Sequence, residues 1–221
     1  MHVLQVTPYF PPTWAYGGIP RIVDGLSRAL VAQGVQVSVL TTDARAVVDD
    51  PDVDLVTGRV NENTASALLQ TAAGIIELGV GTQVLLVGVN GFDTHSNQPG
   101  SHGNLMRQLG DALLAFQKDL AAQGNEGRVV TMCFSEFGRR VRQNASNGTD
   151  HGTAGPVFVL GPAVQPGLRG AYPSLTDLDG GDLKFTTDFR GVYQELLGKW
   201  MRAPTDAVLG GTYEAPGLIR A

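Results

Sequence analysis

Short apolar runs rich in β-branched residues alternate along this chain with windows of helical periodicity, and that alternation restricts the fold more than any other feature. Runs of this kind between turn signals read as buried strands, and apolar residues three and four apart read as one face of a helix. Val3 to Val6 is a first strand, Ile22, Val23, Leu26, Ala29 and Leu30 recur at helical spacing, Gly34 stops that helix, and Val35 to Thr41 is a second strand. Ala65, Leu68, Leu69, Ala72, Ile75 and Ile76 mark another helix, Gln83 to Val89 another strand, and Leu105, Leu109, Ala112, Leu113, Phe116 and Leu120 a long amphipathic helix. Val129 to Phe134 and Pro156 to Leu160 are further strands, and Phe189, Tyr193, Leu196, Leu197 and Trp200 line a last helix. The fold expected is α/β, a mostly parallel sheet with helices on both faces.

The pattern breaks once. Between Ala46 and Asn63 it dissolves into Asp49-Asp50-Pro51-Asp52 and weakly apolar residues, the composition of a linker or join. The expected organisation is therefore a βαβ unit over 1–45, a seam over 46–62 and a larger domain over 63–221. A βαβ unit this small cannot bury both faces by itself, so it is expected to add to the sheet of the larger part.

Composition removes several function classes. A net charge of -5 and no extended cluster of Lys and Arg give no footprint for nucleic acid or an anionic membrane. The short basic run Arg139-Arg140-Val141-Arg142 reads as a solvated helix start. One cysteine, Cys133, lies inside an apolar run and reads as a buried strand residue. No secretory signal opens the chain and no run is long enough to span a membrane, which reads as cytoplasmic. The triplets Asn144-Ala145-Ser146 and Asn147-Gly148-Thr149 match the glycosylation acceptor by chance in a polar loop.

Chemistry-bearing residues gather at the ends of the strands. Asp93 and His95 follow the run 83–89, Glu136 follows 129–134, and Asp150 and His151 precede 156–160. Carboxylates and imidazoles converging from separate loops are the material of a divalent-metal site for zinc, manganese or calcium. Short polar side chains after strands also cap helices and tie loops, so each carboxylate alone carries both readings. His102, before the long helix, reads as a satisfied surface or cap residue. Arg139 and Arg190 can grip a sulfate or phosphate oxygen pair, or bridge to Asp150 and Asp188. Ser135, beside Glu136, is the hydroxyl placed to act as a nucleophile, which needs an activating metal or base, and the neighbouring Glu136 reads equally as a ligand.

Two family resemblances follow from these residues. Pro8-Tyr9-Phe10-Pro11-Pro12 with Tyr16-Gly17-Gly18 and Arg21 sits between a strand and a helix, and Val3 to Ala44 resembles the opening of the retaining GT-B glycosyltransferases of group four. That resemblance implies a loop at Gly17 and Gly18 beside the phosphates of a nucleotide-sugar donor. From Asn61 to Ile219 the chain resembles the sulfatase-like domain-of-unknown-function family numbered 1501, a branch of the alkaline phosphatase superfamily. The matching phrases are Gly91-Phe-Asp-Thr-His95-Ser-Asn-Gln98, Leu113-Leu-Ala-Phe-Gln-Lys-Asp-Leu120, Ser135-Glu-Phe-Gly-Arg139, Gly148-Thr-Asp-His-Gly152 and Thr187-Asp-Phe-Arg190.

The second resemblance implies one or two divalent metals on Asp93, His95, Glu136, Asp150 and His151, catalytic roles for Ser135 and Arg139, and an oxyanion contact at Arg190. It also implies an upstream nucleophile that no phrase here matches, and Phe137 stands where the superfamily places a further ligand. Full-length family members tend to carry export signals. The function expected is a metal-binding, alkaline-phosphatase-like or sulfatase-like hydrolase domain that is catalytically incomplete, taking a small-molecule ester. The alternatives are a glycosyltransferase fragment that binds a sugar or nucleotide, and a non-catalytic α/β binding module.

Overall fold

A computed structural model describes residues 2–7, 36–41, 53–57 and 64–220. The described chain divides into two compact units: one runs to Gly91 and adds Met106–Asn125, and the other comprises Phe92–Leu105 and everything from Glu126 onward. Gly17 and Gly18, the helix expected over Ile22 to Leu30, and most of the 46–62 seam lie outside the described residues.

The first unit is built on a parallel sheet. Strands β1 (His2–Thr7), β2 (Gln36–Thr41), β3 (Val53–Thr57) and β4 (Thr82–Val87) lie in the order β3-β2-β1-β4. Val3 and Val6 of β1 pair with Val37 and Leu40 on one side and with Val84 and Val87 on the other. Strands β1 and β2 are thus hydrogen-bonded into the sheet that holds β4.

Helix α1 (Ala65–Leu78) starts where its sequence provides a cap: the Thr64 hydroxyl accepts the Ala67 N–H at 3.2 Å. It stops at Gly79, whose φ of 62° is the left-handed conformation that glycine adopts without steric cost. Its buried face is Ala65, Leu68, Leu69, Ala72 and Ala73, and Leu68 packs with Ile75, Leu85, Val87 and Val89. Helix α2 (Gln98–Ala122) buries Ala112, Phe116 and Leu120, one stripe at helical spacing. The Gln123 amide N–H reaches the Ala73 carbonyl at 3.4 Å and joins the end of α2 to α1.

The second unit departs from the expected architecture. Its strands form three two-stranded antiparallel sheets: β5 (Thr131–Cys133) with β8 (Phe158–Leu160), β6 (Gly138–Gln143) with β7 (Thr149–Gly152), and β9 (Leu178–Asp179) with β10 (Asp182–Leu183). Six of the ten described strands are therefore antiparallel, and the molecule is mixed α/β rather than mostly parallel. A parallel return needs a crossover of roughly a dozen residues or more. The loop between β6 and β7 and the Gly180-Gly181 turn between β9 and β10 are too short for one, so the chain can only reverse.

The basic run Arg139-Arg140-Val141-Arg142 is likewise strand, not helix start. It pairs as β6 with β7, Gly138 opposite Gly152 and Arg139 opposite His151. The pairing depends on missing side chains: a Cβ at Gly138 would lie 1.8 Å from the Ala154 carbonyl oxygen. His102 belongs to the opening of α2 rather than to the loop before it.

Helix α3 (Phe189–Glu195) is capped by Asp188, which accepts the Arg190 N–H at 2.9 Å, and continues as a π-helical turn over Leu196–Trp200. The core of this unit is Val192, Leu218 and Ile219, packed by Val130, Met132, Val159, Val164 and Leu196. Helix α4 (Asp206–Leu209) follows. Among the described residues no helix is long and apolar enough to cross a membrane.

Candidate metal centre

Two segments of the second unit build the site: the stretch 92–98 that leads into α2, and the β6–β7 hairpin. Backbone bonds hold them together, Asn97 N–H to the Ser146 carbonyl at 3.1 Å and Gln98 N–H to the Asn147 carbonyl at 3.0 Å. Asn144 reinforces the junction with both polar atoms of its side chain. Its Nδ2 donates to the His95 carbonyl and to Asp150 Oδ1, each at 3.0 Å, and its Oδ1 accepts the N–H groups of Ser146 and Gly148. Arg139 crosses from β6, donating to the carbonyls of Thr149 at 2.6 Å and Phe92 at 2.7 Å.

On this frame Asp93, His95 and His151 converge. His151 Nε2 lies 2.7 Å from Asp93 Oδ1, His95 Nε2 lies 2.8 Å from the same oxygen, and the two imidazole nitrogens are 3.1 Å apart. Among the described residues, these three are the group of His, Cys, Asp and Glu side chains whose ligand atoms could share a metal ion. The Asp93 carboxyl is held below the usual carboxylate range, foremost by its hydrogen bond with His151, against a smaller upward push from burial.

Proton counting makes the arrangement informative. Each imidazole Nε2 carries at most one hydrogen, and an ionised carboxylate carries none. Three mutual contacts then have two protons at most, so one contact sets lone pair against lone pair or N–H against N–H. A cation placed among the three atoms turns all three lone pairs to account. The separations of 2.7, 2.8 and 3.1 Å are shorter than the roughly 3.3 Å between ligands of a tetrahedral ion with bonds of about 2.0–2.1 Å, so the three side chains would spread by a few tenths of an ångström to hold one. The residues present therefore fit a metal.

The remaining candidates stand elsewhere. Asp150 is placed on the outer side of His95, 3.6 Å from Nδ1, and its carboxyl is lowered chiefly by the Asn144 hydrogen bond. Glu136 is exposed in the loop after β5 and stands outside the three-residue group. Ser135 turns back on its own loop, its Oγ accepting the Phe137 N–H at 3.4 Å. Arg139 points its guanidinium at main-chain carbonyls, and Arg190 is committed to Asp188 at 2.6 Å and to the Tyr213 hydroxyl at 3.0 Å. His102 Nδ1 bonds the Thr94 hydroxyl at 3.1 Å, the satisfied role expected of it. Phe137, which stands where the resemblance implies a further ligand, instead stacks on the His151 ring, centroids 3.8 Å apart and planes 13° from parallel.

The family model described as a protein of unknown function (DUF1501) matches residues 40–207. The chain belongs to the DUF1501 family. The match takes in all of the converging residues and begins upstream of Asn61, where the sequence phrases start. No curated protein and no solved structure matches the chain.

Proposed function

We propose that this DUF1501 protein binds one divalent transition-metal ion through Asp93 Oδ1, His95 Nε2 and His151 Nε2, as a hydrolase-type site of the alkaline phosphatase and sulfatase kind. The observation that carries the reading is the three-atom convergence with fewer protons than contacts. Two imidazoles and one carboxylate favour zinc or iron over calcium, which takes six to eight oxygen ligands. Manganese stands between them. When bound, such an ion polarises an ester oxygen and acidifies a bound water.

The chain's own residues hold that ion more evidently than they turn over a substrate. Asp93 supplies the charge, and the Asn144 network and Arg139 fix the two segments that carry the ligands. An anionic ester would need free guanidinium donors, and those of Arg139 and Arg190 are already engaged. Among the described residues no base is bonded to Ser135 that would make it a nucleophile. The reading is therefore a metal-binding domain with little or no turnover of phosphate or sulfate monoesters.

The test is metal content and affinity of the purified chain, chelated and then reloaded with zinc, manganese, iron or calcium. About one zinc or iron per chain is expected, and His151→Ala should weaken binding by more than about tenfold, the lower end of what outer-sphere changes alone produce. Failure to bind above the chelated background, binding unchanged in His151→Ala, or vigorous metal-independent esterase activity would each overturn the proposal.

A further inference from the structure

Phe137 supplies no ligand atom to the site, yet its geometry against it is specific. The ring lies 3.8 Å from that of His151 and within 13° of parallel. Two aromatic rings of ordinary electron density avoid a close face-to-face stack, because their negative faces repel, and prefer offset or edge contacts with centroids about 4.5–7 Å apart. A parallel stack this close suits a pair in which one ring is electron-poor, as an imidazole is when its nitrogen donates to a cation.

The placement of Phe137 is itself fixed. The next residue, Gly138, has no room for a side chain against the Ala154 backbone. The Arg139 guanidinium lies 5.0 Å from the Phe137 ring centroid while its nitrogens bond the carbonyls of Thr149 and Phe92. By contrast the His151 side chain is nearly half exposed, and the outer torsion of an imidazole is broad and weakly held unless something packs on the ring.

We propose that Phe137 is a positioning residue for the metal site: its face holds the His151 ring in the plane that aims Nε2 at Asp93 Oδ1 and His95 Nε2, and it favours the metal-bound imidazole over the free one. This rests on the metal-binding reading above. It gives the aromatic residue in the Ser135-Glu-Phe-Gly138 phrase a role that supplies no ligand atom.

The experiment is a cobalt titration of the full chain, followed by the visible absorption of the bound ion, for the wild type, Phe137→Leu, Phe137→Met, Phe137→Tyr and His151→Ala. Thermal unfolding in chelator is measured in parallel. Phe137→Leu and Phe137→Met should bind cobalt about three- to tenfold more weakly, the size of one aromatic contact, with a shifted absorption band. Phe137→Tyr should restore both affinity and band. A role in packing alone would lower the unfolding temperature in chelator and leave the band and affinity of the folded protein unchanged, which overturns the proposal. So would Phe137→Tyr as weak as Phe137→Leu. If wild type and His151→Ala both fail to bind cobalt, the metal reading falls and takes this inference with it. If only His151→Ala fails and both aliphatic variants bind like wild type, this inference alone falls.

Discussion

Gly148 touches the metal site without carrying any chemistry. A Cβ built on it would lie 2.1 Å from the His95 carbonyl oxygen and 2.9 Å from the Ser96 nitrogen, so any side chain must push the 92–98 segment away from the hairpin. Gly148→Ala is expected to cost about 2 kcal/mol of stability, the range for an overpacked backbone contact, and to weaken zinc binding at least tenfold because His95 moves with its backbone. Zinc titration and thermal unfolding of the variant check both. The same scale shows why the sequence distinguished some ligands and not others. Asp93, Glu136, Asp150 and His151 all sit near strand ends and give the same signal. Asp150 and His151 are neighbours in β7, however, and successive side chains of a strand face opposite ways. His151 reaches Asp93, and Asp150 ends on the outer side of His95. Glu136 is one residue away from Phe137, which takes the position against the imidazole.

Helix α3 ends in a carboxylate that organises the last segment of the described chain. Glu195 is 1% exposed and accepts the N–H groups of Gly217, Leu218 and Ile219 at 2.8, 2.8 and 2.9 Å, with Lys199 Nζ at 2.9 Å. Those bonds seat the strap that crosses the 163–165 loop, where Gln165 N–H meets the Leu218 carbonyl at 2.6 Å and Val164 bridges Ile219. Burial pushes the Glu195 carboxyl up, and the Ile219 and Leu218 N–H groups together with Lys199 outweigh it, so its pKa falls below the ordinary glutamate value. A carboxylate depressed in the folded state contributes stability above its unfolded pKa, and that contribution is lost as pH falls through the folded value. Glu195→Gln turns an amide N–H₂ toward backbone donors and leaves at least one of them unpaired. It should cost roughly 3 kcal/mol at neutral pH, and the gap to wild type should narrow below the unfolded glutamate pKa. Urea unfolding at neutral and acid pH measures this. A gap that stays constant with pH would show that the carboxylate charge contributes nothing. The helix itself was legible, since Phe189, Tyr193, Leu196, Leu197 and Trp200 recur at its period. The role of Glu195 was not, because its backbone N–H partners lie 22 to 24 residues away.

For the whole molecule, metal binding must appear as stability, since an ion that binds only the folded chain shifts the folding equilibrium toward it. Zinc at a hundred times its dissociation constant should add about 2.7 kcal/mol, seen as a rise in unfolding temperature that chelator reverses and that Asp93→Ala abolishes. An equal rise in Asp93→Ala would place the ion elsewhere. The sequence by itself determined the local elements: α1, α2 and α3, and strands β4, β5 and β8, because hydrophobic period and caps are written within a dozen or so residues. It also marked Asp93, His95 and His151 as chemistry-bearing. Only the tertiary structure decided that the basic run at 139–142 is a strand, that the strands of the second unit pair antiparallel instead of extending a parallel sheet, and that the three ligand atoms meet. Asp93 and His151 are 58 residues apart, and they meet because Gly148 lets two backbones touch while Asn144 and Arg139 bind the segments together. Close approach of that kind depends on which backbone lies opposite, and no local pattern records it.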